Sequence, residues 1–232
     1  MNKSNDKQNI EHFFISRSEY QRGYTAAQLT LSLGQVAMDF SHIERVPRYA
    51  DGERENDAEH SYMLALVAPE IAEALGLELD SGKITRYAVV HDLVELKTGD
   101  VATFQVSEQQ LNDKIAKEHA ALNELLEELP RSTAKTLAAY ESQSDPEARF
   151  VRYIDKLLPI VVDIIGSGAR VMQEDYSVNS LDQLQQKTTI LQERFETMFK
   201  GEFPDIDRAH KLLCELLEFK LYDQVKLPAS QH

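Results

Sequence analysis

His60, the adjacent pair His91-Asp92 and Asp155 are the residues of this chain best suited to chemistry. Two neutral imidazoles and two carboxylates from three separate segments make a mixed nitrogen and oxygen donor set that suits a divalent cation. A metal site is therefore the first expectation, and it requires three segments to pack together.

The sequence predicts that these segments are helices. In ITRYAVVHDLVELKTGD, residues Ile84, Tyr87, Ala88, His91 and Glu95 recur at three- and four-residue steps, as on one helix face. This spacing predicts a helix through His91, with Glu95 one turn further on and Asp92 about 100° around the axis. His60 lies in ENDAEHSYMLALVAPEIAEALG, where Asn56 or Asp57 can cap a helix that Gly76 stops. Its expected apolar stripe includes Tyr62, Leu64, Leu66, Val67 and Ile71. Asp145 as cap and Pro146 at the first helical position open the helix of Asp155. Phe150, Val151, Ile154, Leu157 and Leu158 surround that carboxylate, and its burial is costly without a cation or hydrogen-bond partners.

The ordered pattern His60, His91-Asp92, Asp155 resembles the signature of the HD-domain metal-dependent phosphohydrolases. The flanks narrow the likeness: RVPR at 45–48, ENDAEHS at 55–61, HDLVELKTGD at 91–100 and YESQSDPEARFVRYIDK at 140–156 resemble the 5′-deoxynucleotidase branch. The resemblance runs from Arg45 to Asp163, about half of the chain. A single histidine on an apolar helix face is ordinarily a satisfied core residue. Four ligand-type residues in matching flanks change that reading for His60.

The resemblance implies an all-α fold, a single globular HD-domain helical unit, and hydrolysis of (deoxy)nucleoside 5′-monophosphates. His60, His91, Asp92 and Asp155 would hold the ion, which lowers the pKa of water and neutralises charge on phosphoryl oxygens. Asp92 therefore counts with Glu95 as catalytic. Glu95 would transfer a proton to the leaving oxygen, a role that needs its carboxyl protonated. Arg45 matches a substrate-gripping arginine, and a guanidinium forks onto phosphate oxygens. Asp100 matches a sugar-binding acid that accepts a hydroxyl hydrogen bond. Arg48 reads as a surface charge. Some family members follow the gripping arginine with a tryptophan that discriminates against a 2′-hydroxyl; this chain has Val46 there and no tryptophan at all. The donor set admits Mn, Co or another transition metal, with Mg the weakest fit to imidazole. Alternatives within the family are cyclic nucleotides, triphosphates or alarmones as substrates; outside catalysis, the alternative is a nucleotide-binding module.

Composition agrees with these expectations. The net charge of −14 argues against a protein that coats nucleic acid or an anionic membrane. Cys214 is the only cysteine, which excludes an internal disulfide and, among Leu212, Leu213, Leu216 and Leu217, reads as a buried thiol. The first residues lack the apolar run of a signal peptide, and no segment reaches the roughly 20 apolar residues of a membrane span. A cytoplasmic location is the expectation, and the resemblance adds a homodimer. Residues 1–18 read as a polar arm, 19–224 as the HD-type domain and 225–232 as a tail. Within the domain, Leu29, Leu33, Val36 and Phe40 mark an early helix. Ser107 is expected to cap a long amphipathic segment ended by Pro130, in which His119 reads as a surface residue. Two final helices are expected from near Ser180 to before Gly201 and from about Asp205 to about Asp223.

Overall fold

The computed structural model describes residues 17–99, 108–199 and 201–225. The chain divides into two compact units, 1–39 and 40–232. Helix α1 (Arg17–Phe40) occupies the described part of the first. The second contains every candidate site residue that is described.

The second unit opens with an antiparallel hairpin, β1 (Glu44–Arg48) and β2 (Arg54–Asn56), in which Glu44 pairs with Asn56 and Arg48 with Arg54. The register is irregular between those pairs, around Pro47, which has no N–H to give the ladder. Helices account for the rest, so the fold is all-α apart from this hairpin.

Helix α2 (Asp57–Ala74) follows β2 directly because Asn56 caps it in a full capping box: its side chain accepts from Glu59 N–H while the Glu59 carboxylate accepts from Asn56 N–H. Gly76, at φ +64°, takes the left-handed conformation that ends it. Helix α3 (Ser81–Val90) is capped by Asp80, whose side chain accepts from Lys83 N–H. After α4 (Glu95–Thr98) come α5 (Glu108–Glu128) and α6 (Arg131–Glu141), separated by Pro130. The predicted Ser107 cap lies outside the described residues. Asp145 and Pro146 open α7 (Pro146–Asp155) as expected, with the Asp145 side chain accepting from Ala148 N–H. The chain breaks helical continuity at Lys156-Leu157 and resumes as α8 (Leu158–Ile165), with Pro159 in its first turn. A short turn at Gly168–Arg170 runs into a π-helical turn, Val171–Asp175. Helices α9 (Leu181–Phe199) and α10 (Pro204–Leu221) complete the unit.

The main core joins α2, α3 and α7 through Leu64, Ile84, Phe150, Tyr153 and Ile154, all essentially inaccessible. Each such side chain contributes roughly 1.5–3 kcal/mol on burial. A second cluster, with Met172, Leu184, Cys214 and Leu217, joins α8, the π turn, α9 and α10. Cys214 is thus the buried thiol expected.

The predicted stripe of α2 needs correction. Leu64 is fully buried and Val67 and Ile71 pack partly buried against the core as predicted, but Tyr62 and Leu66 are 72% and 58% exposed, and the helix also turns Asp57, His60, Ser61, Ala68 and Ala72 inward. Small residues at 68 and 72, with Ala88 on α3, let the two backbones approach closely, so the packed face is the one with less apolar bulk.

Close approach also ties the hairpin to α8. Ser167 N–H donates to Arg48 O at 3.0 Å. A Cβ on Gly166 would lie 2.2 Å from that same oxygen, so only glycine fits. Arg48 and Arg54 then both meet Asp175 on the π turn, with the Arg54 contact at 2.6 Å. Arg48 is therefore a partly buried strut that anchors the strand of Arg45, not the surface charge expected.

Candidate metal centre and cavity

Capping places His60 in the first turn of α2, where its ring is fully buried. Asp155 is the last residue of α7, and His91 directly follows α3. His60 Nε2 lies 2.9 Å from Asp155 Oδ1, while His91 Nε2 lies 2.9 Å from Asp92 Oδ2 and 3.7 Å from Asp155 Oδ1. One ligand-type atom from each of the four residues lies within 4.8 Å of all the others. The four predicted ligand residues thus converge on one point.

The backbone around His91 differs from the continuous helix predicted there. Leu93, Glu95, Leu96 and Lys97 each donate to the carbonyl three residues earlier, at 2.9–3.1 Å. With three residues per turn, positions three apart eclipse. Glu95 accordingly clusters with Asp92 and not one α-helical turn beyond His91, and Asp57 joins them within 4.8 Å.

The chemistry of the donors fits a cation. His91 Nδ1 lies 2.9 Å from Ala88 O, and a carbonyl only accepts, so Nδ1 carries the proton in that contact. This leaves the lone pair of Nε2 directed at two carboxylates, and Nε2 is buried without a hydrogen-bond partner. A lone pair facing two anions in a dry site is repulsive unless a proton or metal ion lies between. Burial alone would lower the His91 pKa, but Asp92 and Asp155 outweigh it and push it up to about 10. Glu55, also fully buried, sets Oε2 3.4 Å from His60 Nδ1, behind the ring.

The carboxylates are held ionised. Burial opposes this at Asp155, but Lys156, whose Nζ is 2.7 Å from Oδ2, and the two imidazoles hold its pKa well below the ordinary range. At Asp92 burial is likewise outweighed, chiefly by His91 and then by Arg45. Arg45 Nη1 bridges Asp57 Oδ1 at 2.8 Å and Asp92 Oδ2 at 2.9 Å. Its pKa is raised despite burial, because Asp92 and Asp155 lie close by. Burial raises Asp57, against which hydrogen bonds with Glu95 and Arg45 pull.

Asp57 and Glu55 were missed in the sequence. Asp57 read as an alternative cap, yet it sits one turn before His60, a spacing that shares a helix face. Asp100 lies outside the described residues. Arg45, Val46, Asp92, Glu95 and Asp155 line a cavity of about 1080 Å³, on the scale of small-molecule sites. Exposed His119 reaches its wall as well.

A helical frame that gathers two histidines and two aspartates from three separate segments beside an open cavity defines a class of metal-site proteins. The chain belongs to the HD domain family, whose model matches residues 41–199. It is 31% identical over 134 residues to a human protein named 5′-deoxynucleotidase HDDC2, a match covering 54% of this chain and 63% of that protein. The Xenopus laevis protein of the same name is 29% identical over 144 residues, covering 56% and 69%. The match therefore spans less than two thirds of the human relative. Among solved structures, a protein described as a predicted metal-dependent phosphohydrolase from Magnetospirillum magnetotacticum superposes with a TM-score of 0.66 at 24% identity, covering 92% of this chain and all of that one. A Pyrococcus horikoshii protein gives 0.50 at 24% identity, covering 77% and 98%. These two likenesses concern the fold. No helix of the described residues is long and apolar enough to cross a membrane.

Proposed function

We propose that this chain is a metal-dependent phosphohydrolase that releases phosphate from deoxynucleoside 5′-monophosphates. The convergence of His60, His91, Asp92 and Asp155 on one point beside a nucleotide-sized cavity carries this reading. The names of the relatives agree with it.

The four residues would hold the ion through His91 Nε2, His60 Nε2 and one oxygen from each aspartate. A bound divalent ion supplies an activated water near neutral pH and neutralises phosphoryl charge. Mn or Co is our choice for activity, since imidazole disfavours Mg.

The remaining roles belong to side chains. Arg45 already spans the edge of the site, and its guanidinium can turn unused N–H groups toward a phosphate. Glu95 protonates the leaving nucleoside oxygen, with Asp57 beside it as a positioning residue. Asp100 accepts a hydrogen bond from a sugar hydroxyl, as the family resemblance implies. The resemblance also supports a homodimer, and the absence of disulfide chemistry suits a cytoplasmic enzyme.

The test uses chelated protein resupplied with Mn, Co, Zn or Mg and a panel of deoxyribo- and ribonucleoside monophosphates, cyclic nucleotides and triphosphates. Nucleoside and nucleotide products are separated in the same run. Metal-dependent release of phosphate and nucleoside from monophosphates is the expected result. Turnover of only cyclic nucleotides or triphosphates would reassign the substrate, and silence with metal bound would end the reading.

A further inference from the structure

Two buried acids take no part in the chemistry above. Asp163, on the cavity wall, is pushed up to about 8 by burial and so stays uncharged below that pH. Glu55 differs in what faces it. It is the middle residue of β2, directly before the Asn56 cap of α2, and no part of it reaches solvent. Its Oε2 lies 3.4 Å from His60 Nδ1 and 3.4 Å from Arg45 Nε. Neither oxygen of Glu55 has a hydrogen-bond partner among the described residues, and neither of those nitrogens has one. Burying a carboxyl in this way is unfavourable, and a leucine would fill a similar volume without that cost, so packing alone gives no reason to keep it.

The two contacts define how Oε2 acts. An arginine Nε–H only donates, so the oxygen that meets it is an acceptor. The same acceptor stands behind His60 Nδ1. At 3.4 Å each contact is longer than an ordinary hydrogen bond and acts electrostatically. Negative potential at Nδ1 favours the tautomer that carries its proton there, and the neutral ring then has its lone pair on Nε2. Nε2 lies 2.9 Å from Asp155 Oδ1, on the side where the four candidate ligands converge. His91 has the same arrangement with a different partner, its Nδ1 on Ala88 O and its Nε2 toward Asp92. Two imidazoles thus aim matched lone pairs at one point, one oriented by the backbone and the other by a side chain.

We propose that Glu55 is a positioning residue for the metal: by keeping the proton of His60 on Nδ1, it makes Nε2 the nitrogen that binds the ion. This rests on the metal-site reading above. A carboxyl behind a metal-binding imidazole fixes its tautomer and ring orientation and makes it a better ligand.

Two measurements test the proposal, and neither needs hydrolysis. The first uses the unaltered protein, chelated, reloaded with Zn and labelled with 15N at histidine. Long-range proton–nitrogen spectra should show His60 protonated at Nδ1 and metallated at Nε2, and the opposite tautomer would overturn the proposal without any variant. The second compares Glu55→Gln, which keeps an acceptor oxygen, with Glu55→Leu, which has none. Calorimetric affinity for Zn and Co should fall by about 10–100-fold in the leucine variant, the usual cost of losing such a partner, and glutamine should restore most of it. Circular dichroism of the metal-free proteins checks that each variant is folded. Equal affinity in all three proteins, or glutamine as weak as leucine, would refute the role of Glu55. If metal binds with the expected tautomer and order of affinities yet no monophosphate is hydrolysed, the phosphatase reading fails and the role of Glu55 stands. Wild-type protein that binds no metal would overturn both.

Discussion

Replacing Asp163 by Asn should change how stability depends on pH. In the fold this carboxyl has a pKa near 8, against an ordinary value of 3.8, because burial removes its water and Glu55 and Asp175 repel its charge, with Lys187 pulling the other way. Between about pH 4 and pH 8 the native state holds a proton that the unfolded chain has released, so unfolding free energy falls as pH rises through that window. Each pH unit is worth up to about 1.4 kcal/mol, and the whole displacement is on the order of 5 kcal/mol. This contribution is fully present below about pH 4 and lost above about pH 8. Asparagine keeps the shape and cannot ionise. The two proteins should therefore have similar stability near pH 4, and the variant should be more stable by several kcal/mol above pH 8. Lys187 titrates in a separate window: burial lowers it from 10.5 to about 8, so its contribution changes only as pH falls from about 10.5 to 8. Urea denaturation of both proteins across the lower window, followed by circular dichroism, measures the difference directly. Parallel profiles would mean that the carboxyl ionises as it does in water, and the account of this wall would be wrong.

Asp92→Ala should lower metal affinity by more than about 100-fold and abolish turnover, because it removes one of the four donor groups that converge on the candidate metal point; metal content after dialysis equal to wild type would refute the ligand assignment. Glu95→Gln should keep the metal and lower kcat by about 10²–10⁴-fold. An unchanged kcat in steady-state assays would remove Glu95 from proton transfer. His210, buried and stacked 4.0 Å from Phe195, is pulled down to about 4 by burial from an ordinary 6.5. Its neutral form stabilises the fold above about pH 6.5 and that contribution, on the order of 3 kcal/mol, is lost as pH falls toward 4. His210→Phe should flatten this acid limb in denaturation curves, and an equally steep limb would show that His210 is protonated without cost.

The four candidate ligands and the caps that place them were legible because their signals are local. Asn56 followed by Glu59, and Asp145 followed by Pro146, specify helix starts through a few side-chain to backbone bonds, and both starts are where the spacing put them. His60 and Asp155 then follow by counting residues. The turn after His91 was not legible, since ITRYAVVHDLVE keeps an α-helical period while its backbone tightens to three residues per turn. Periodicity reports which residues are apolar, not which carbonyl each N–H finds. That tightening brings Glu95 over Asp92 and Asp57, and so decides which acid stands beside the candidate metal point.

The inward face of α2 was hidden for a related reason. Tyr62 and Leu66 outweigh Ala68 and Ala72 in any count of apolar area, yet close helix contact selects small residues, and it is the alanines that are buried in the core cluster with Ala88 of α3. Turning the alanines inward also turns Asp57, His60 and Ser61 inward, since these lie on the same helix face. The packing of α2 on α3 and the burial of His60 are consequently one choice of helix rotation. A large side chain at Ala68 would push α2 out of the core it shares with α3 and α7, and the first casualty would be the distance of His60 from Asp155, because the two come from different helices, α2 and α7, and helix packing holds them 2.9 Å apart.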